Sequence, residues 1–250
     1  MKTIHDVSAV AQRTSKLIYR DGDKLYKTFD QTYSKSSVLN ESLNHARIEE
    51  TGLNIPKIKE VTVIDGKCAI IMDFIEGITL EKLMQDNPEK LDEYLDLFVS
   101  IQLDIHSRRS PLLTKFKDKM TDKIFKSDLD ASARYDLAMR WREMPDHNSV
   151  LHCDFNPSNV IITPEGVPYI IDWAHASQGN ASADAAKTYL IFELDGKKDI
   201  AEKYLKLFCK KTGTSEVYAR KWIPLIAAAQ LVKGKPENRA ILMKHVNSVE

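Results

Sequence analysis

Two Asp-Gly turns, each between β-prone runs, mark hairpins in the first third of the chain. The run SKLIYRDGDKLYKTF turns at Asp21-Gly22-Asp23, and KIKEVTVIDGKCAIIMDF turns at Asp65-Gly66. Asp-Gly between apolar runs is a strong hairpin signal because it tolerates the left-handed backbone of tight turns. Residues 35–51 between the hairpins have helical periodicity, with Gly52 as the stop. The expected apolar stripe of this helix comprises Val38, Leu39, Leu43, Ala46 and Ile48.

From Gly77 onward the sequence pattern becomes helical. Thr79 is an expected N-cap for LEKLMQ, and Pro224 is expected to kink a late helix or lie in its first turn. A buried helix is predicted from apolar residues that recur at three or four positions: Leu91, Leu95, Phe98, Ile101 and Ile105. We therefore expect an α+β chain with a small β-rich domain at residues 1–75 and a larger, mainly helical domain at residues 76–250.

Composition limits the classes of partner and compartment. The 36 basic and 36 acidic side chains cancel, so the total charge indicates neither a nucleic acid nor an anionic membrane. The three cysteines show no CxxC spacing, which favours a reducing compartment. Charges interrupt every long apolar run, and the first residues lack the apolar stretch of a secretory signal. We expect a soluble cytoplasmic protein, and the sequence leaves the oligomeric state open.

The stretch VLHCDFNPSNVIITPEGVPYIIDWAHA carries the polar residues with the clearest chemical pattern. Asp154 and Asn159 lie five residues apart on one predicted loop, and Asp172 ends the hairpin that follows. Phosphoryl transfer from ATP requires oxygen ligands for Mg²⁺ and a carboxylate near the acceptor hydroxyl. This spacing therefore predicts a phosphotransfer site, with His152 orienting the loop.

The same stretch resembles the HGDxxPxN…IDW signature of the aminoglycoside phosphotransferase and choline kinase family, with Cys153 where glycine is usual. The resemblance implies a bilobal protein-kinase-like fold with a small β-rich N-lobe and a larger, mainly helical C-lobe. It implies ATP-dependent phosphoryl transfer to a hydroxyl of a small molecule. In that reading Asp154 is the catalytic base or positioning acid, and Asn159 and Asp172 hold Mg²⁺.

The resemblance extends upstream of this stretch. LYKTF is similar to the family strand that carries the phosphate-binding lysine, which is Lys27 here, and the next helix supplies Glu41 as its partner. AIIMDFIEGITL resembles the connection between the lobes. There the main chain of Asp73, Phe74 and Ile75 is expected to hold the adenine edge.

Two further features accompany the resemblance. SADAAKTYLIF is similar to a family helix in which an aspartate, Asp184 here, supports the catalytic loop. The segment expected to cover the phosphates, residues 11–16, contains no glycine, although backbone N–H groups need close approach to reach phosphate oxygens. Thr14 and Ser15 are candidate hydroxyl donors at this turn.

Several alternatives stay open at the level of sequence. The acceptor is an aminoglycoside, an amino alcohol or a sugar-like metabolite, and the nucleotide is ATP or GTP. A protein serine/threonine kinase is an alternative, although Asn156 stands where protein kinases typically have a lysine. A non-catalytic nucleotide-binding scaffold is a second alternative, favoured by the segment without glycine.

Overall fold

The structure, a computed structural model, describes residues 8–13, 16–232 and 235–248. These residues form two compact units. The first comprises the described residues up to Asn87 together with Pro157–His175, and the second comprises Pro88–Asn156 and the described residues from Ala176 onward. A functional division between residues 75 and 76 stays a prediction.

A five-stranded antiparallel sheet forms most of the first unit. Its strands are β1 (Ser8–Arg13), β2 (Lys16–Asp21), β3 (Lys24–Phe29), β4 (Ile58–Ile64) and β5 (Lys67–Asp73), in the order β1-β2-β3-β5-β4. Both predicted hairpins are confirmed, as β2 pairs with β3 and β4 pairs with β5. At their turns Gly22, Asp65 and Gly66 have φ of 61°, 48° and 76°, the left-handed backbone that Asp and Gly accept.

Helix α1 (Lys35–Glu49) packs on this sheet with a face that matches the predicted one only in part. Leu39, Leu43 and Ala46 are exposed, so the predicted apolar stripe is wrong at these positions. Val38 and Ile48 are buried, as predicted. The buried positions of α1 are Val38, Glu41, Ser42, Asn44, His45 and Ile48. Polar residues are buried there because neighbouring segments offer partners; for example, the Asn44 amide donates to the Ala174 carbonyl oxygen at 3.1 Å.

A second, three-stranded sheet completes the first unit. It has the order β6-β8-β9, with β6 at Ile78–Thr79, β8 at Val160–Ile162 and β9 at Pro168–Ile170. Helix α2 (Leu80–Asp86) follows β6, and the predicted N-cap is confirmed because the Thr79 side chain accepts a hydrogen bond from the Lys82 N–H at 3.2 Å.

The second unit is mainly helical. Its helices are α3 (Leu91–Ser107), α4 (Phe116–Lys126), α5 (Ala131–Glu143), α6 (Ala181–Leu194), α7 (Lys198–Thr212), α8 (Glu216–Arg220), α9 (Trp222–Gln230) and α10 (Arg239–Val246). Strands β7 (Ser149–Leu151) and β10 (Ser177–Gly179) pair antiparallel. Pro224 lies in the first turn of α9, one of its two predicted positions. In the described part of the chain, no helix combines the length and the apolar run that a bilayer span requires.

Candidate active site

Lys27 is a buried cation on β3 that contacts two carboxylates. Its Nζ forms an ion pair with Glu41 Oε1 and lies 3.0 Å from Asp172 Oδ1. Burial of Lys27 favours the neutral amine, but the charges of Asp172 and Glu41 outweigh it and raise the pKa of Lys27. The lysine is therefore charged at neutral pH, and three residues from distant parts of the sequence meet at one cluster.

Three local structures bring this cluster together. Helix α1 carries Glu41 on its buried face, and β3 presents Lys27 beside it. The β8–β9 hairpin returns the chain, so that the Ile171 N–H donates to the Asn159 carbonyl oxygen at 3.0 Å and Asp172 follows directly. Asp172 has φ of 65°, a left-handed conformation that aspartate adopts more readily than most residues. The hairpin thus places the second predicted metal ligand next to the first.

These residues lie on a cavity of about 320 Å³ in the first unit. One part of its lining is apolar and includes Ile18, Leu25, Ile58, Ile70, Met72, Ile75, Ile161 and Ile171. Another part is polar and includes Lys16, Lys27, Glu41, Asn159 and Asp172. A volume of this size and this mixture of apolar walls with few polar groups are typical of small-molecule sites. Of the residues predicted from sequence, Lys27, Glu41, Asp73, Phe74, Ile75, Asn159 and Asp172 all line it.

The main-chain N–H groups at the end of β5 differ in whether they have a hydrogen-bond acceptor. The Asp73 N–H donates to the Lys57 carbonyl oxygen at 3.0 Å, and the Phe74 N–H donates to the Asp23 carbonyl oxygen at 2.8 Å. Among the described residues, none accepts a hydrogen bond from the Ile75 N–H. Of the three residues predicted to hold an adenine edge, Ile75 is therefore the one with an available N–H.

Lys16 is a second lysine on the same cavity that the sequence did not reveal. Its Nζ lies 3.0 Å from Glu41 Oε2, and its side chain is 14% exposed. The ammonium group also lies 5.2 Å from the ring centroid of Phe29 and 5.0 Å from that of Tyr33. The signal that would have identified it is strand register: Ile18 pairs with Lys27, so Lys16, two residues before Ile18, faces the same side of the sheet.

Asp154 lies in the second unit, on the loop that follows β7. Its backbone N–H donates to His152 Nδ1 at 3.2 Å, and its carbonyl oxygen accepts from Asn156 Nδ2 at 3.0 Å. The His152 side chain is fully buried and packs against the ring of Phe155, with centroids 5.8 Å apart. Local contacts therefore fix the backbone conformation of the loop before and after Asp154, whose side chain is half-buried.

The buried carboxylate of Asp184 anchors this loop from α6. Its Oδ1 accepts from the Cys153 N–H at 2.8 Å, and its Oδ2 accepts from the His152 N–H at 3.3 Å. His106 Nε2 on α3 lies 3.0 Å from the same Oδ2. Burial acts to raise the pKa of Asp184, but the His106 contact and the backbone donors hold it below its ordinary value. The predicted support of the loop by Asp184 is confirmed, and His106 is an additional partner that its sequence context did not identify.

Cys153 has a backbone conformation that favours glycine. Its φ is 63°, in the left-handed region, which costs a residue with a Cβ roughly 1–2 kcal/mol. Its thiol is buried, and burial raises the pKa of Cys153 to about 12, so the group is a neutral thiol. Cys153 is therefore a packing residue in a strained loop and has no features of a nucleophile.

This strain predicts an unusual order of stability for substitutions at Cys153. We expect Cys153→Gly to be at least as stable as Cys153→Ala, because glycine releases roughly 1 kcal/mol of left-handed strain. Cys209 is the matched control, a buried cysteine within helix α7. There glycine should be less stable than alanine by about 1 kcal/mol. Urea denaturation of the four variants measures both differences, and the same order at the two positions would show that the Cys153 backbone is unstrained.

The structure thus brings together seven of the eight predicted site residues on one cavity of the first unit. Asp154, the eighth, belongs to the second unit, and its place beside the metal ligands stays a prediction. Thr14 and Ser15, the candidate hydroxyl donors, lie outside the described residues.

Comparisons with known proteins agree on a family. The family described as the phosphotransferase enzyme family matches residues 7–220. No curated protein matches this sequence significantly.

The solved structures to which the chain is similar include three proteins of related description. The first is aminoglycoside phosphotransferase APH(4)-Ia, at 14% identity and a TM-score of 0.70 over 96% of this chain and 91% of that one. A choline/ethanolamine kinase family protein from Mesorhizobium loti has 15% identity and a TM-score of 0.58 over 98% and 89%. A ternary complex of streptomycin, ATP and APH(2")-IIa has 15% identity and a TM-score of 0.61 over 98% and 92%. These similarities confirm the predicted fold class.

Proposed function

This chain belongs to the phosphotransferase enzyme family, and from that premise we propose that it transfers the γ-phosphate of ATP to a hydroxyl of a small molecule, with Mg²⁺ as cofactor. The observation that carries the proposal is the contact of buried Lys27 with both Glu41 and Asp172 on an otherwise largely apolar cavity. A buried lysine is costly unless paired. Its position beside a ligand-sized cavity supports a role in holding anionic phosphates.

The two parts of the cavity lining suit the two parts of a nucleotide. An adenine ring is flat and apolar on its faces, and the isoleucine-rich walls offer it burial. The Ile75 N–H is the proposed donor to the adenine edge. Lys27, oriented by Glu41, is the proposed ligand of the α- and β-phosphates, since a lysine ammonium is a strong donor to phosphate oxygens.

Asn159 and Asp172 have the donor chemistry that Mg²⁺ requires. Both line the cavity, and they offer one amide oxygen and one carboxylate. Mg²⁺ is a hard cation that commonly uses one or two protein carboxylates and completes its coordination with water and substrate phosphates. The residues present therefore fit the ion. When bound, Mg²⁺ would neutralise charge on the phosphates.

Asp154 is the proposed catalytic residue. Its carboxylate would orient the acceptor hydroxyl and accept its proton as the new O–P bond forms and the bond between the γ-phosphorus and the β-phosphate oxygen breaks. The contacts of Asp184 with the His152 and Cys153 N–H groups support this role because they hold the loop in one conformation. A rigid loop keeps the base at a constant position relative to the acceptor.

The family indicates the acceptor class, which includes several kinds of small molecule with a hydroxyl group. We propose an aminoglycoside, an amino alcohol or a sugar-like metabolite, in a cytoplasmic setting without nucleic-acid or membrane partners. One of the similar structures is of a protein named for aminoglycosides, one is a complex with streptomycin, and one is of a protein named for choline or ethanolamine.

Lys27→Met tests the nucleotide site. We expect this variant to lower kcat/KM for ATP on the order of a hundredfold, because it keeps the length of the side chain but removes the charge facing the phosphates. The exposed Lys67 at the start of β5 gives the control Lys67→Met, which should behave as wild type. ADP release and calorimetric titration with Mg·ATP measure the effect. Equal activity of the two variants would remove Lys27 from the proposed site.

A further inference from the structure

Lys16 is a partly buried cation on the nucleotide cavity to which the proposed function assigns no role. Like Lys27, it contacts Glu41, at 3.0 Å through Oε2, while Lys27 binds Oε1. The Tyr33 hydroxyl also donates to Oε2, at 3.4 Å. One carboxylate therefore orients two ammonium groups, and both lysines line the cavity.

The charge balance of this cluster allows an anion to bind. In the structure two lysines and two acids, Glu41 and Asp172, balance one another. If Asp172 turns to Mg²⁺ when a nucleotide binds, Glu41 alone remains to balance Lys16 and Lys27. A magnesium nucleoside triphosphate is still anionic, and the surplus positive charge at this end of the cavity matches it.

The sequence before Lys16 gives a reason for a second lysine. Residues 11–16 contain no glycine, and glycine-rich turns are the usual way to bring backbone N–H groups against phosphate oxygens. Lys16 is the last residue of this segment and the first residue of β2. An ammonium group on a four-carbon side chain reaches a phosphate without close approach of the backbone.

We propose that Lys16 is a second phosphate-binding residue, which contacts the phosphates of a nucleoside triphosphate directly and so takes over the role of a glycine-rich turn. This inference rests on the proposed function, since it assumes that the cavity holds a nucleotide. Glu41 orients both lysines, and the contacts of Lys16 with the Phe29 and Tyr33 rings keep its ammonium group at the cavity wall.

Calorimetric titration of adenosine, ADP and Mg·ATP into wild type, Lys16→Gln and Lys16→Arg tests this inference. Lys16→Gln should weaken Mg·ATP binding tenfold or more, the scale of a lost charge-assisted hydrogen bond, and leave adenosine binding unchanged. Lys16→Arg should retain most of the affinity because it keeps the charge. Lys24→Gln is the matched control, since Lys24 is an exposed lysine on β3, the neighbouring strand.

A double-mutant cycle with Glu41→Gln separates direct contact from a purely structural role. If Lys16 binds phosphate itself, Lys16→Gln weakens Mg·ATP binding further in the Glu41→Gln background. If Lys16 acts only by holding Glu41, the second substitution has no effect there, and the inference is overturned. Unchanged Mg·ATP affinity in Lys16→Gln alone overturns it as well. Failure of wild type to bind Mg·ATP would instead overturn the proposed function.

Discussion

Asp154→Asn is expected to lower kcat by about 10²- to 10⁴-fold and to leave Mg·ATP affinity unchanged. The asparagine keeps the size of the side chain and its hydrogen-bonding oxygen, but it cannot accept the proton of an acceptor hydroxyl. The loop backbone should persist, because the contacts that hold it come from His152, Asn156 and Asp184. Rates of ADP release at saturating ATP and acceptor, with calorimetry for nucleotide affinity, measure the two quantities.

Asp146→Asn is the control for this variant. Asp146 is an exposed acid of the same unit that pairs with Lys115 at 3.3 Å, and its loss should not affect turnover. A fall in kcat that is equal in the two variants would point to nonspecific electrostatics. Turnover of Asp154→Asn near the wild-type rate would show that the catalytic base is a different residue.

Asp184→Ala is expected to lower the free energy of unfolding by about 3–5 kcal/mol, the usual cost of removing one partner from a buried ionic contact. The substitution leaves the His152 and Cys153 N–H groups and the His106 ring without their acceptor in a buried environment. Chemical denaturation at pH 7 measures the loss. In the fraction that remains folded, kcat should fall, because the loop that carries Asp154 loses its support.

Asp199→Ala distinguishes the loss of the buried Asp184 contacts from the loss of any acid in the first turn of a helix. Asp184 and Asp199 are both acids in the first turn of a helix, α6 and α7 respectively, but Asp199 is exposed. An interaction with the helix dipole alone contributes about 1 kcal/mol or less. A similar small loss at both positions would contradict the buried network as the source of stability.

The pH dependence of stability gives an independent check on Asp184. Because its pKa is lower in the folded protein, the stabilisation is fully present above the ordinary aspartate pKa of about 4 and is lost as pH falls through the lower folded value. The difference in unfolding free energy between wild type and Asp184→Ala should therefore narrow below about pH 4. A constant difference across that range would show that the carboxylate charge contributes nothing.

Short-range signals in the sequence predicted much of the fold. The Asp-Gly turns specified both hairpins, and Thr79 specified the start of α2, because each depends on the conformation of a few neighbouring residues. The hairpin between Asn159 and Asp172 was also readable, and it explains how two residues far apart in sequence reach one cavity. Sequence spacing alone predicts the structure correctly where the contacts are between residues close together in the chain.

Long-range contacts account for what the sequence did not reveal. Hydrophobic periodicity predicts Leu39 and Leu43 on the buried face of α1 because it weighs only hydrophobicity, whereas the helix buries Glu41 against the lysines. His106 and Asp184 are 78 positions apart, and no local pattern links them. Their pairing depends on how helices α3 and α6 pack.

ADP release from Mg·ATP across a panel of aminoglycosides, amino alcohols and sugars tests the central claim most directly. We expect at least one small molecule to stimulate ADP release and to gain phosphate in an amount equal to the ADP released. The Asp154→Asn variant should not catalyse this reaction. A protein substrate assayed in parallel should gain no phosphate. Binding of Mg·ATP without ADP formation for any acceptor would indicate a nucleotide-binding scaffold, and phosphate transfer to protein alone would indicate a protein kinase; either result would contradict the proposed function.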